Sequence, residues 1–168
     1  MITGIIPARY ESTRFPGKPL VDIHGKSMLQ RVYEQCQKSK LDRVLVATDD
    51  ERIVAHVQAF GGQVILTASS HKSGTDRIAE AADQLDLQDD GIVVNIQGDE
   101  PFIHPEDINL VAACFENTST QIATLVKKID SIETLENTNN PKVVLKTNKE
   151  ALYFSRAPIP HLKGFRKE

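Results

Sequence analysis

Short apolar runs alternate with amphipathic stretches along this chain. Ile2 to Pro7 is apolar and ends at proline, the pattern of a buried first strand. Over 27–38, Met28, Leu29, Val32, Tyr33 and Cys36 share one helical face, and Ser27 with Gln30 three residues on fits a capping box. Val44 to Ala47 is the next strand. Asp49 or Asp50 caps a helix carrying Ile53, Val54, Val57 and Phe60, which Gly61-Gly62 ends. Val64 to Thr67 is a third strand, and Thr75 caps a helix with Ile78, Ala79, Ala82 and Leu85 on one side. Ile92 to Ile96, β-branched and apolar apart from Asn95, predicts a centre strand covered on both faces. Pro105 suits a first helical turn, with Glu106 and Asp107 at the positive end of the dipole. Ile108, Val111, Ala112 and Phe115 then face the core. Residues 121–129 and 142–147 read as further strands and Ala151 to Phe154 as a short one, with a polar loop from Asn137 to Pro141.

This βαβα order predicts an α/β fold over a single domain, 1–168, with a largely parallel sheet and helices on both sides. Ligands in such sheets bind beyond the carboxyl ends of the strands. The chemically informative segments sit there. Pro7 to Lys18 follows the first strand, Thr48-Asp49-Asp50 the second, Ser69 to Arg77 the third, and Gln97-Gly98-Asp99-Glu100-Pro101 the fourth.

Composition narrows the partners. The 168 residues are 40% hydrophobic and 26% charged, ordinary for a globular protein, and the net charge is -3 with no Trp. Neither a basic surplus nor a base-stacking platform points to nucleic acid. No apolar run is long enough to span a bilayer, and Met1 to Pro7 lacks the basic leader of a signal peptide, so a cytoplasmic protein without a membrane partner is expected. Cys36 and Cys114 lie on the apolar sides of predicted helices and read as reduced core thiols.

The segment after the first strand carries Arg9, Arg14 and Lys18 around a Pro16-Gly17 turn. Arginine offers a planar fork to phosphate oxygens and lysine a compact point charge, so the three suit a polyphosphate. Ser12 and Pro19 stand where a Walker A loop would need Gly and Ser or Thr, and the G-x-G-x-x-G dinucleotide fingerprint is absent. Asp99, a hard carboxylate at the end of a strand, suits Mg²⁺ beside a triphosphate, and Gly98 permits close backbone approach. An exposed acidic turn is the competing reading.

Together, I-I-P-A-R-Y-x-S-T-R-F-P-G-K-P-L, Val46 to Asp50, His71 to Arg77, Val94 to Pro101, Lys142-Val143-Val144 and Ala151 to Arg156 resemble the cytidylyltransferases that activate 3-deoxy-manno-octulosonate (KDO), a lipopolysaccharide sugar. The resemblance spans essentially the whole chain. It implies a Rossmann-like three-layer αβα nucleotidyltransferase fold and transfer of CMP from CTP to KDO, with Mg²⁺ as cofactor. It implies nucleotide contacts from Pro7, Ala8, Arg9, Ser12, Arg14, Lys18, Ser73 and Gly74, and sugar contacts from Arg77, Gln97 and Arg156. The catalytic residues would be Arg9, Lys18 and Asp99, with Asp99 as metal ligand. For Arg77 a surface arginine near Asp76 and Glu80 stays open as the alternative.

Family members continue past Ser155-Arg156. The resemblance therefore implies that a sugar-site segment, a second metal-binding aspartate and much of a homodimer contact belong to a C-terminal portion missing here. Two rival readings follow, a non-catalytic nucleotide-binding fragment and a cytidylyltransferase for another acidic sugar such as sialic acid.

Overall fold

A computed structural model describes residues 1–11 and 15–161. In chain order the elements are β1 (Ile2–Ala8), a 3₁₀ turn (Lys18–Leu20), β2 (Asp22–Ile23), β3 (Lys26–Ser27), α1 (Met28–Cys36), β4 (Arg43–Thr48), α2 (Glu51–Ala59), β5 (Val64–Leu66), α3 (Gly74–Gln84), β6 (Ile92–Asn95), α4 (Pro105–Ala113), a second 3₁₀ turn (Cys114–Glu116), α5 (Ile132–Glu136), β7 (Lys142–Leu145) and β8 (Ala151–Ser155). Where the sequence reads as one domain, the internal contacts fall into two compact units, Met1–Ala123 and Thr124–Glu168.

The first unit is built on a parallel sheet in the order β5-β4-β1-β6. Alternate residues of each strand serve opposite faces. Ile6, Val44, Val46 and Val94 pack with α1, α2 and α4 through Leu29, Val32, Ile53, Val57 and Ile108. Ile5, Leu45 and Ala47 pack on the other face against Ile78 and Ala81 of α3. This gives the expected three layers. Leu29, Val32, Ile53 and Val57 are fully buried, and each such side chain contributes roughly 1.5–3 kcal/mol.

The caps explain the helix boundaries. Ser27 Oγ accepts the Gln30 amide at 3.0 Å, while the Gln30 side chain turns to Glu34 instead of closing the box. Asp50, rather than Asp49, caps α2. Gly61 leaves that helix with φ +78°, a conformation that costs glycine nothing.

Four expectations are corrected. First, the cap of α3 is Ser73 rather than Thr75. Ser73 Oγ accepts the Asp76 amide at 3.1 Å and Asp76 accepts the Ser73 amide at 3.2 Å, a reciprocal pair that Thr75 has no partner to form. Second, β6 lies at the sheet edge among the described residues. Among the described residues it pairs only with β1 and leaves Val93 exposed. Its β-branched composition reports a pleated apolar setting but not the number of neighbours. Third, residues 121–129 pair with no strand among the described residues, and Ile122 is 90% exposed. Alternation in sequence cannot supply a ladder partner. Fourth, Cys114 is exposed, because four residues after the exposed Leu110 it shares that residue's face of the helix, away from the buried Ile108 and Ala112.

The second unit centres on the antiparallel pair β7 and β8, with Val143 opposite Phe154 and Val144 opposite Tyr153. Lys142 is buried, and its Nζ donates to the carbonyls of Asn137 and Arg156, both at 2.8 Å. No helix among the described residues is long and apolar enough to cross a membrane.

Candidate functional site

The chain moves from β1 through β4 to β5 on one side, then returns to β6 on the other side of β1. Strand order thus reverses between β1 and β6, and the carboxyl ends of these two strands flank a crevice.

Tyr10 and Gly17 meet after β1. The Gly17 amide donates to the Tyr10 carbonyl at 2.8 Å, and Gly17 adopts φ +73°. A β-carbon at Gly17 would lie 3.2 Å from the Tyr10 ring. The Tyr10 ring is itself capped by the Arg52 guanidinium, 3.4 Å from its centroid. Arg52 also pairs with Asp50 and holds its carboxyl below the usual range. These contacts return the chain so that Lys18 reaches the end of β6, where its Nζ lies 2.6 Å from Asp99 Oδ2.

Glycines bring the neighbouring backbones together. A β-carbon at Gly98 would stand 3.2 Å from the Pro7 carbonyl oxygen, and one at Gly74 3.2 Å from Pro7 Cγ. Pro7 therefore sits between the turn after β6 and the start of α3. Gln97 is held by a 3.0 Å bond from its Nε2 to Asn95 Oδ1.

Arg77 is neither a surface arginine nor a partner of Asp76 or Glu80. It is 3% exposed. Its guanidinium donates to Asp49 Oδ2 at 2.9 Å, to Thr67 Oγ1 at 2.5 Å and to the Ala68 carbonyl at 3.5 Å. It locks the ends of β4 and β5 to α3. Glu80 takes the Ala68 amide at 2.9 Å and pairs with His71 Nε2, and chiefly through that histidine its carboxyl is held below the usual range.

These elements enclose a cleft of about 340 Å³. Pro7, Ala8, Arg9 and Lys18 line it from the β1 side, Ser73, Gly74 and Arg77 from α3, and Gln97 and Asp99 from the β6 end. So nine of the sequence-derived site residues meet in one place. Ser12 and Arg14 lie outside the described residues. Arg156 belongs to the second unit, where its guanidinium donates to the Thr138 carbonyl at 3.0 Å.

The sequence reading assigned no role to His71, Met28 or Pro19, which also line the cleft. It likewise missed Asp49 as the partner of Arg77. His71 stood in a quoted motif, but nothing in its spacing announced the pairing with Glu80.

Among the described residues no group of three His, Cys, Asp or Glu side chains could hold an ion alone. The Asp99 side chain is 51% exposed and engages Lys18 through one oxygen. A single hard carboxylate on a cleft with cationic walls fits Mg²⁺, which takes few protein ligands beside phosphate oxygens and water.

Comparison with known proteins agrees with this geometry. The sequence matches the cytidylyltransferase family over residues 3–168. It is 59% identical over 165 residues to the 3-deoxy-manno-octulosonate cytidylyltransferase of Parabacteroides distasonis, covering 96% of this chain and 65% of that protein. It is 58% identical to that of Bacteroides thetaiotaomicron, covering 98% and 66%. The fold superposes with a TM-score of 0.91 and 44% identity on CMP:2-keto-3-deoxy-manno-octonic acid synthetase complexed with CTP, covering 97% of this chain and 67% of that one. The chain thus spans about two thirds of the length of these relatives. With the parallel sheet, the cleft at its switch point and the matching sequence in agreement, this chain belongs to the cytidylyltransferase family.

Proposed function

We propose that this chain carries the nucleotide-binding part of an enzyme that transfers CMP from CTP to 3-deoxy-manno-octulosonate, releasing pyrophosphate. The observation that carries this reading is the cleft at the switch point, where Arg9, Lys18 and Asp99 meet the close backbone of Pro7, Ala8, Ser73 and Gly74. The likeness to the named relatives supports the choice of nucleotide and sugar.

In this reading a sugar hydroxyl oxygen attacks the α-phosphorus in line. A new P–O bond forms, the bridging Pα–O bond to the β-phosphate breaks, and pyrophosphate leaves with the electron pair while the hydroxyl proton passes to water. Little covalent work falls to the protein, so catalysis is positioning and charge neutralisation. Arg9 and Lys18 offset charge that develops on the phosphates, and Arg14 serves the outer phosphates. Backbone groups of Pro7, Ala8, Ser73 and Gly74, with Ser12, take the cytosine and ribose. Gln97, Arg77 and Arg156 belong to the sugar side, Arg77 through the loops it braces. Asp99 would hold a magnesium ion, which would supply further charge neutralisation for the phosphates. A cytoplasmic location and a homodimer of the full-length protein complete the proposal.

The test is pyrophosphate release from CTP, KDO and Mg²⁺, beside calorimetric titration of CTP with ATP as control. Turnover with KDO, and CTP uptake that ATP does not match, are expected. CTP uptake without pyrophosphate release favours a binding fragment, turnover only with sialic acid moves the sugar, and no CTP uptake sinks the reading.

A further inference from the structure

Glu80 lies outside the cleft lining, yet it holds together one of its walls. Its carboxylate accepts the Ala68 amide at 2.9 Å and pairs with His71 Nε2, and Gln84 Nε2 braces it at 3.0 Å while also donating to the Leu66 carbonyl at 3.1 Å. Arg77, one helical turn earlier, grips Thr67 and Ala68 from the same face of α3. The segment from Leu66 to His71 is therefore fastened to α3 at several points, and His71 is the member of that segment that lines the cleft. With Nε2 committed to Glu80, Nδ1 is the ring nitrogen left to meet a ligand. A histidine whose second nitrogen is fixed by a carboxylate has its ring orientation set by that partner.

We propose that Glu80 is a positioning residue. It touches no ligand but orients the His71 imidazole as part of the wall that receives the nucleotide, and it sets affinity for CTP through that ring. This rests on the nucleotide reading given above.

The experiment is a double-mutant cycle on CTP binding with Mg²⁺, by calorimetry, using Glu80→Ala, His71→Ala and the double variant. Alongside it, nitrogen-15 spectra of the His71 ring are recorded without nucleotide. Glu80→Ala is expected to weaken CTP about tenfold, the scale of one ligand hydrogen bond left without its positioned partner. In the His71→Ala background the same change is expected to do almost nothing further. Glu80→Gln, which keeps an acceptor for the Ala68 amide, restores most of the affinity and guards against a folding defect. The ring spectra are expected to lose their single ordered tautomer in Glu80→Ala.

An equal loss of affinity with and without His71, unchanged CTP binding in Glu80→Ala, or an unaltered His71 ring overturns the proposal. A wild-type chain that takes up no CTP overturns the nucleotide reading and the ligand half of this one, and the ring spectra still decide whether Glu80 orders His71.

Discussion

Lys18 Nζ and Asp99 Oδ2 stand 2.6 Å apart across the mouth of the cleft, 81 residues apart in sequence. The two side chains are 37% and 51% exposed. An exposed pair of this kind contributes only about 0–1 kcal/mol to stability, so structural cement is a poor account of it. Lys18→Ala and Asp99→Ala are expected to melt within a few degrees of the wild type yet each lose about 10²-fold in turnover, the scale of one lost electrostatic stabiliser. The charge-swapped double variant, Lys18→Asp with Asp99→Lys, is expected to stay impaired, because cation and metal ligand have separate tasks. Recovery of turnover by the swap would show that pairing is all they do.

Arg77 and Asp49 are the opposite case. Arg77 is buried at 3% exposed, and Asp49 is largely covered at 18%. Removing one partner leaves an uncompensated charge, which costs about 3–5 kcal/mol. Arg77 keeps its bonds to Thr67 and Ala68 when Asp49 is truncated, so Asp49→Ala is expected at the lower end. Arg77→Lys is expected to fare little better than Arg77→Ala, since a single ammonium cannot span partners on two strand ends. Urea unfolding of the three variants measures this, and a loss below 1 kcal/mol in all of them would remove the clamp from the account.

Gly98 controls how closely β6 approaches β1 at the cleft floor. In Gly98→Ala the new methyl must settle 3.2 Å from the Pro7 carbonyl oxygen and 3.4 Å from Ile6 Cγ2. Neither can withdraw easily, since Ile6 is fully buried. Overpacking of this kind costs about 1–3 kcal/mol. The Pro7 backbone is expected to shift, weakening CTP together with stability. A stable Gly98→Ala with normal CTP affinity would show that the floor has slack.

The alternation of strands and helices was legible because each helix turns one apolar stripe inward, as Leu29, Val32 and Cys36 do on α1. Sheet order was not, since no local pattern distinguishes β1, which has two neighbours, from β6, which has one among the described residues. The segments that line the cleft were marked by their place after strand ends, while the parts given to Pro7, Ala8, Ser73, Gly74, Arg77 and Gln97 came only with the family resemblance. The supports of these residues were not legible. Ser73 and Thr75 offer equivalent hydroxyls, and only the carboxylate of Asp76 selects between them. For Arg77 a surface arginine stays open as an alternative until Asp49 is brought to it by the β4 turn. Glu80 and His71 are polar residues nine apart, spanning a loop and a helix, where no periodicity operates.

Acid should separate the α2 cap from the rest. Asp50 accepts the Arg52 amide at 2.9 Å and pairs with the Arg52 guanidinium, which holds its carboxyl below the ordinary value of 3.8. A carboxyl depressed in the folded state contributes stability above its unfolded pKa and loses it as pH falls through the folded one. Asp50→Asn keeps a capping oxygen but not the charge. It is expected to be less stable than wild type at neutral pH and to converge with it below pH 3.8. Thermal melts across that range test the sign, and a deficit that persists in acid would assign the effect to the cap geometry.

The two thiols should part company in the same native protein. Cys36 is fully buried under α1, and burial pushes its pKa up to about 12, so the reactive thiolate is scarce at neutral pH as well as inaccessible. Cys114 is exposed, its Sγ 3.4 Å from the Leu110 carbonyl. A soluble disulfide reagent at neutral pH is therefore expected to label one thiol per chain promptly and the second only when denaturant opens the core. Cys114→Ser should abolish the prompt phase and leave the slow one, whose rate then reports opening of the α1 face. Prompt labelling of Cys36 would mean that the layer formed by Leu29, Val32 and Cys36 against the sheet opens readily in the folded chain, against the burial that defines this face of the core.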